Sequence, residues 1–177
     1  MLFIVQDPYT SYYDAKVVRD FVALTQKLGF SPILLPFKPN GKAMHIKGFL
    51  TRFSKTAKTQ AEFLNRVAKL NVPLVGVDPA IVLSYRDEYK EALGDSRGDF
   101  HVLTAHEWLT NQLESNALQS AVKNIAKSDR TFEWHLFPHC TESTFMPNSP
   151  KEWQNIFAQF GQTLTCLLYT SDAADEL

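Results

Sequence analysis

Leu2-Phe3-Ile4-Val5-Gln6-Asp7-Pro8, then Val17, Phe21, Leu24, Leu28 and Gly29, then Ile33-Leu34-Leu35, set the architecture between them. Four consecutive apolar residues that stop at Gln6-Asp7 read as a short strand buried on both faces. Asp7 to Ser11 has the composition of a turn. From Asp14 to Leu28 the apolar residues recur at helical spacing, and Gly29 stands where a left-handed cap is wanted. Ile33-Leu34-Leu35 is a second strand. A strand, a helix and a strand joined this closely predict a parallel pair with a right-handed crossover.

The pattern continues outward. Pro36, Pro39 and Asn40-Gly41 force an irregular loop. Phe49, Phe53, Ala57, Ala61, Leu64 and Ala68 form the stripe of a second helix, and Arg52, Lys55, Lys58, Arg66 and Lys69 read as its solvated faces. Pro73 to Val77 is a third strand. Asp78-Pro79 opens a helix, because Asp accepts N-terminal amide hydrogens and Pro is preset for the first turn. Ile81, Val82, Tyr85, Tyr89 and Leu93 carry that helix to Gly94, and a polar loop follows to Gly98. His101 to Leu103 is a fourth strand and Ala105 to Leu113 a short helix. Asn111 to Arg130 is polar and weakly helical, a connector. Phe132 to Phe137 is a further strand, and Ser149-Pro150-Lys151-Glu152 a capping box ahead of Trp153, Ile156, Phe157 and Phe160, with Gly161 as the stop. The fold class is therefore α/β, a mainly parallel sheet with flanking helices. Ligands of such sheets sit beyond the carboxyl ends of the strands, which directs attention to Asp7 to Ser11, Phe37 to Lys42, Asp78-Pro79 and His139 to Glu142.

Composition excludes several classes. The 177 residues are 45% hydrophobic and 21% charged with a formal charge of -1, so the chain is neither disordered nor clustered in basic residues as a nucleic-acid or anionic-membrane surface requires. No apolar run reaches the roughly 18 to 20 residues of a membrane span, and the N-terminus has no basic leader, so a cytoplasmic location is expected. Two Cys cannot staple a chain of this size.

Residues 166–177 break the preceding pattern and resemble the translation of a transposase sequencing adapter; on that reading the protein's own sequence stops near Thr165. Setting aside Asp172, Asp175 and Glu176 moves the charge to +2, still too near neutral to indicate a partner. An internal repeat reinforces the boundary. A shift of 132 positions aligns Asp7-Pro8 with His139-Cys140, Tyr13 with Phe145, Phe21 with Trp153, Leu24 with Ile156, Leu28 with Phe160 and Gly29 with Gly161, without a gap. The counterpart of Asn40-Gly41 falls at positions 172 and 173, inside the aberrant tail, so the second repeat is truncated.

The runs Val5-Gln6-Asp7-Pro8-Tyr9-Thr10-Ser11-Tyr12-Tyr13, Leu35 to Lys42, Gly76-Val77-Asp78-Pro79-Ala80, Tyr85-Arg86-Asp87-Glu88-Tyr89 and Leu136-Phe137-Pro138-His139-Cys140-Thr141-Glu142 together resemble a known family. It is the C-terminal cysteine-rich region (CCG-type, heterodisulfide reductase-like) of FAD-binding and iron-sulfur oxidoreductases, among them bacterial D-2-hydroxyglutarate dehydrogenases, D-lactate dehydrogenases and glycolate oxidase iron-sulfur subunits. The resemblance covers nearly all of residues 1–165. It implies tandem modules, each with a lone Cys after one strand and Cys-Cys-Gly after the next, holding a 4Fe-4S cluster through soft thiolates. On this basis residues 1–110 are a first, cysteine-depleted module, 111–131 a connector, 132–165 the start of a second module and 166–177 the adapter translation. The first module departs from the family, with Pro8 for the lone Cys, Pro39-Asn40-Gly41 for Cys-Cys-Gly and Asp78-Pro79-Ala80-Ile81 for a later Cys site, and its expected role is structural.

In the second module Cys140 matches the lone family Cys. The resemblance implies that Cys140, with His139 beside it, contributes to cofactor binding, Cys140 as an iron-sulfur ligand in the intact parent only. It further implies a fragment of an FAD- and iron-sulfur-dependent 2-hydroxyacid dehydrogenase acting on D-2-hydroxyglutarate. The flavin would sit on an absent N-terminal domain, the partners would be that domain, a ferredoxin-like domain and a peripheral respiratory acceptor, and the fragment alone would be inactive. No catalytic residue is assigned within it. The competing class is a non-catalytic docking module. From the residues alone Cys140 is also open to other readings: a buried small hydrophobe, a zinc ligand with His135 and His139, or a nucleophile beside His139. Asp7, Asp78 and Glu142 are carboxylates at the presumed ligand edge, with helix capping the stronger role for Asp78. Asn40-Gly41-Lys42 and His45 form a turn that could touch an anion, and His106-Glu107 belongs to an ordinary helix.

Overall fold

A computed structural model describes residues 1–113, 118–126 and 132–167. The chain divides into two compact units, Met1–Trp108 and Leu109–Leu177.

The first unit is built on a fully parallel sheet of β1 (Leu2–Val5), β2 (Pro32–Leu34), β3 (Leu74–Gly76) and β4 (Val102–Thr104), in the order β2-β1-β3-β4. All four residues of β1 are buried, as a central strand covered on both faces requires. Alternation sends Phe3 and Val5 into a core with Leu35, Leu74 and Val102, closed by Phe53, Ala57, Ala61 and Leu64 of α4 (Leu50–Ala68). Over the other face Phe21 of α2 (Ala15–Lys27) and Phe30 pack edge-on against Trp108, with ring centres at 5.9 and 4.9 Å. β2 lies at the sheet edge, with Ile33 and Leu34 both 44% exposed.

Several expectations need correction. The segment after β1 is a helix, α1 (Pro8–Tyr12), because Asp7 accepts the Thr10 N–H and Pro8 starts the turn. In α2, Val18 rather than the expected Val17 faces the core, and Val17 is exposed. A short helix, α3 (Lys42–Ile46), follows Gly41 where only a loop was expected. The single helix expected from Pro79 to Leu93 is broken into α5 (Pro79–Arg86) and α6 (Glu88–Leu93). Asp87 ends one and starts the other, as suits a residue that favours caps over helix interiors. The polar loop Gly94–Arg97 is a turn of 3-10 helix. The helix beginning at Ala105, α7 (Ala105–Leu113), matches its expected bounds. The connector expected over 111–131 lies partly outside the described residues, and α8 (Gln119–Ala126) falls within it.

The second unit holds β5 (Glu133–Leu136), α9 (Cys140–Phe145), α10 (Ser149–Gln159) and β6 (Thr163–Cys166), with β5 and β6 parallel. The repeat recurs here bond by bond. Ser11 N–H to Asp7 O and Ser143 N–H to His139 O are 3.0 and 2.9 Å; Phe30 N–H to Thr25 O and Gln162 N–H to Phe157 O are both 3.0 Å; Leu35 N–H to Ile4 O and Leu167 N–H to Leu136 O are both 2.9 Å. Gly29 and Gly161 both take positive φ, 88° and 69°, and close the preceding helix. The tail expected to be foreign begins at Cys166, the last residue of β6; residues 168–177, with the counterpart of Asn40-Gly41, lie outside the described residues.

Candidate functional site

The order β2-β1-β3-β4 places the switch in chain direction between β1 and β3, so the crevice of the first unit lies past Val5 and Gly76, where Gln6-Asp7 and Val77-Asp78 emerge. This edge is occupied by the protein's own hydrogen bonds. Asp7 is buried, its Oδ1 accepting the Thr10 N–H at 2.9 Å and its Oδ2 the Thr10 hydroxyl. Asp78 Oδ1 accepts the N–H groups of Ala80 and Ile81 at 2.8 and 3.3 Å, the capping role expected of it. Gln6 Nε2 donates to Leu35 O at 2.6 Å. Asn40 is buried; its backbone oxygen accepts the Tyr89 hydroxyl at 2.6 Å and its Oδ1 the Lys42 N–H at 2.9 Å.

The charges are spent in the same way. Lys42 Nζ forms a close ion pair with Glu88, so the turn expected to offer a cation to an anion has its lysine engaged. Burial alone would raise the Glu88 carboxyl, but the Lys42 hydrogen bond and charge outweigh it and hold Glu88 below the ordinary range. Arg86 grips Glu107 with both terminal nitrogens, at 3.0 and 2.5 Å. Against the opposing effect of burial, Arg86 and Thr104 lower the Glu107 carboxyl. Burial pushes the Tyr85 and Tyr89 phenols upward, and the charges of Asp7 and Asp78 add to the effect on Tyr85, so both hydroxyls stay protonated and neither serves as a base at neutral pH. His106 is buried against Thr104 Oγ1 at 3.1 Å, in the ordinary helix expected. His45 stacks at a tilt on Phe53, 4.8 Å between ring centres.

The residues at the positions where the resemblance implies cysteine do structural work. Pro8 starts α1, Pro79 starts α5, and Gly41 holds φ at 81° where a Cβ would meet the Phe53 ring. Gln60 escaped the sequence reading although it carried a signal: it is a polar residue among the apolar stripe positions of α4, and it is buried with Nε2 3.5 Å from the Tyr85 hydroxyl.

In the second unit the equivalent edge follows β5. His139 occupies the cap position of α9 and its Nδ1 accepts the Thr141 N–H at 3.2 Å, which leaves Nε2 as the protonated nitrogen of the neutral ring. Cys140 is the first residue of α9 and is exposed, so it is not the buried hydrophobe that a lone Cys usually is. Its thiol lies 4.0 Å from Thr141 Oγ1, and no hydrogen bond joins it to His139 among the described residues. His135 faces Glu133 at 3.7 Å. Among the described residues no group of three or more His, Cys, Asp or Glu side chains is arranged to hold a metal. Glu142, expected as a carboxylate facing ligand, is instead buried between α9 and α10, accepting from the Ser149 hydroxyl and from Trp153 Nε1 at 3.3 Å. This contact also overturns the capping box: Ser149 spends its hydroxyl on Glu142, and Asn148 takes the cap position.

An iron-sulfur cluster needs four protein ligands, generally thiolates. The described residues hold two cysteines, Cys140 exposed and Cys166 half-buried in β6, so they do not complete a cluster site.

Over 164 residues the chain is 81% identical to the D-2-hydroxyglutarate dehydrogenase of Haemophilus influenzae, a match covering 93% of this chain and 16% of that protein. Proteins of the same name from Escherichia coli and Pseudomonas putida are 60% and 37% identical over 161 residues, 91% of this chain and 15% of each relative. The chain thus spans 15–16% of the length of these curated relatives. No protein-family model matches it, and no solved structure does. No helix among the described residues is long and apolar enough to cross a membrane.

Proposed function

We propose that this chain is a segment of an FAD- and iron-sulfur-dependent dehydrogenase that oxidises D-2-hydroxyglutarate, and that it belongs to the electron-transfer part of that enzyme. The observation that carries this reading is the identity of 81%, 60% and 37% to three proteins of one name, in each case over more than nine-tenths of this chain. The flavin would be held by polypeptide outside these residues, since the chain carries no glycine-rich dinucleotide loop of its own. When bound, flavin and clusters supply the redox chemistry, and the protein positions and tunes them.

Within that frame the two units have different tasks. The first is a cysteine-depleted module whose ligand edge is closed by its own hydrogen bonds, and its role is structural. In the second, Cys140 offers one exposed thiol at the carboxyl end of β5 with His139 fixed beside it, and the remaining thiolates would come from polypeptide outside this chain. Residues 166–177 are read as foreign to the protein; the 164 residues matched in the Haemophilus relative leave thirteen of the 177 outside the match.

Resequencing the source DNA across the Thr165 codon comes first. A continuation with Cys-Cys-Gly within about ten residues of Thr165, where the 132-residue shift carries the counterpart of Pro39-Asn40-Gly41, is the expected result. The polypeptide completed from that gene, treated anaerobically with iron and sulfide, should turn brown, and its Cys140→Ser variant should bind less iron. A native coding tail, or a completed protein that stays colourless, would overturn the cluster reading and favour a docking module.

A further inference from the structure

The two sheets begin alike and end differently. In the first unit β1 lies against β2 with Leu2 opposite Pro32, Phe3 opposite Ile33 and Ile4 opposite Leu34. In the second, β5 lies against β6 with Trp134 opposite Leu164, His135 opposite Thr165 and Leu136 opposite Cys166, the same pairs displaced by 132 residues. On its other side β1 is flanked by β3, whereas β5 has β6 as its sole strand neighbour among the described residues.

Backbone direction identifies the groups on that open side. In a parallel ladder alternate residues bond to opposite neighbours. Ile4 O accepts the Leu35 N–H from the β2 side at 2.9 Å, and Phe3 N–H donates to Pro73 O on the β3 side at 2.9 Å. Leu136 O likewise accepts the Leu167 N–H at 2.9 Å, so His135 and Phe137 direct their backbone groups to the other edge of β5. The side chains agree. Trp134 packs against Phe157 of α10, with ring centres 5.9 Å apart. By alternation His135 and Phe137 belong to the opposite face, where Phe137 is 69% exposed although its counterpart Val5 is 4% exposed in the core that α4 closes. An edge of open backbone groups beside an exposed aromatic ring is a template for one more strand.

We propose that β5 is an inner strand, and that the parent polypeptide beyond Thr165 supplies a crossover helix over Phe137 and a parallel strand at this edge, the counterparts of α4 and β3. The repeat names the occupant. Pro73 follows Ile33 by 40 residues, so the strand begins about 40 residues after Thr165 and accepts the His135 N–H as Pro73 O accepts that of Phe3. There is chain enough to supply it, since more than four-fifths of the length of each relative lies outside the match. The inference shares with the proposed function the reading of residues 166–177 as foreign, and depends on neither flavin nor iron.

The test is amide hydrogen exchange, resolved to single residues by fragmentation mass spectrometry, on the 177-residue chain and on the parent protein completed from the source gene. In the 177-residue chain His135 and Phe137 should exchange about tenfold faster than Phe3 and Val5; in the parent all four should exchange slowly, because each then donates within a ladder. The continuation should also read as an apolar helical stripe and then a short apolar run about 40 residues after Thr165, the interval from Ile33 to Pro73. Rapid exchange of His135 and Phe137 in the parent, or a continuation without that run, would overturn the proposal. So would protection already present in the 177-residue chain, or appearing there as its concentration rises, which marks a second copy at the edge. A parent that protects both amides and binds no iron keeps the strand and removes the cluster reading, so the two fail separately.

Discussion

Gly41 shows how narrowly single residues are constrained at the ligand edge of the first unit. It holds φ at 81°, and a Cβ there would lie 2.9 Å from Phe53 Cδ2, a core ring that cannot swing away. Gly41→Ala should therefore lose roughly 1–3 kcal/mol in a urea titration. Gly29→Ala, at φ 88° but facing open space, should lose only about 1 kcal/mol. Glu107 gives a pH dependence. Its folded carboxyl is held below the ordinary value of 4.5, so the Arg86 contact stabilises the fold above that pH, and the contribution disappears as pH falls through the lower folded value. Urea midpoints should drop from pH 5 toward pH 3, and the drop should be smaller in Glu107→Gln. At this scale the sequence was readable where the signal was local and repeated a known device, as at Asp78-Pro79. The same Asp-Pro device at Asp7-Pro8 passed for a turn because Tyr9-Thr10-Ser11 has turn composition. Ser149 was misread because its true partner, Glu142, depends on how α9 meets α10, and no local pattern encodes that contact.

Among elements, the repeat is the firmest link between sequence and structure. Side chains differ at most aligned positions, yet both halves use the same backbone bonds at the helix start, the glycine stop and the strand return. Spacing preserves the hydrogen-bond ladder while the packing chemistry diverges. In the first unit Thr10 binds Asp7 within one helical turn; in the second the corresponding Glu142 reaches forward to Ser149 and Trp153. Ser149→Ala leaves the buried Glu142 short of a donor and should lower stability by about 1–3 kcal/mol, read from near-ultraviolet circular dichroism during urea unfolding. Cys140 and Cys166 should separate by access. Cys140, exposed at the start of α9, should be labelled by a thiol reagent before Cys166, which pairs with Leu136 inside the β5–β6 ladder; mass spectrometry of briefly treated protein reads the order.

For the whole molecule, the fold class was legible because strands and helices announce themselves by different periods, and the parallel order follows from their alternation. The site was less so. The resemblance to a cysteine-rich family leaves most of its expected cysteine positions without cysteine, and the burial of Asp7, Asn40, Gln60 and Glu142 is decided by tertiary packing. The 177-residue chain alone should show no oxidation of D-2-hydroxyglutarate in a dye-reduction assay, while the completed parent should; turnover by the segment would place the flavin chemistry where no glycine-rich loop exists.

Strand β2 carries one more consequence. It pairs with β1 on one side, and Ile33 and Leu34 stand partly in water at the rim of the sheet. An open rim of backbone donors and acceptors next to apolar side chains is a template for another chain's strand. Shelf life in concentrated solution is therefore governed by this margin: light scattering should climb with protein concentration, and a lysine in place of Ile33 should keep the solution clear to higher concentration.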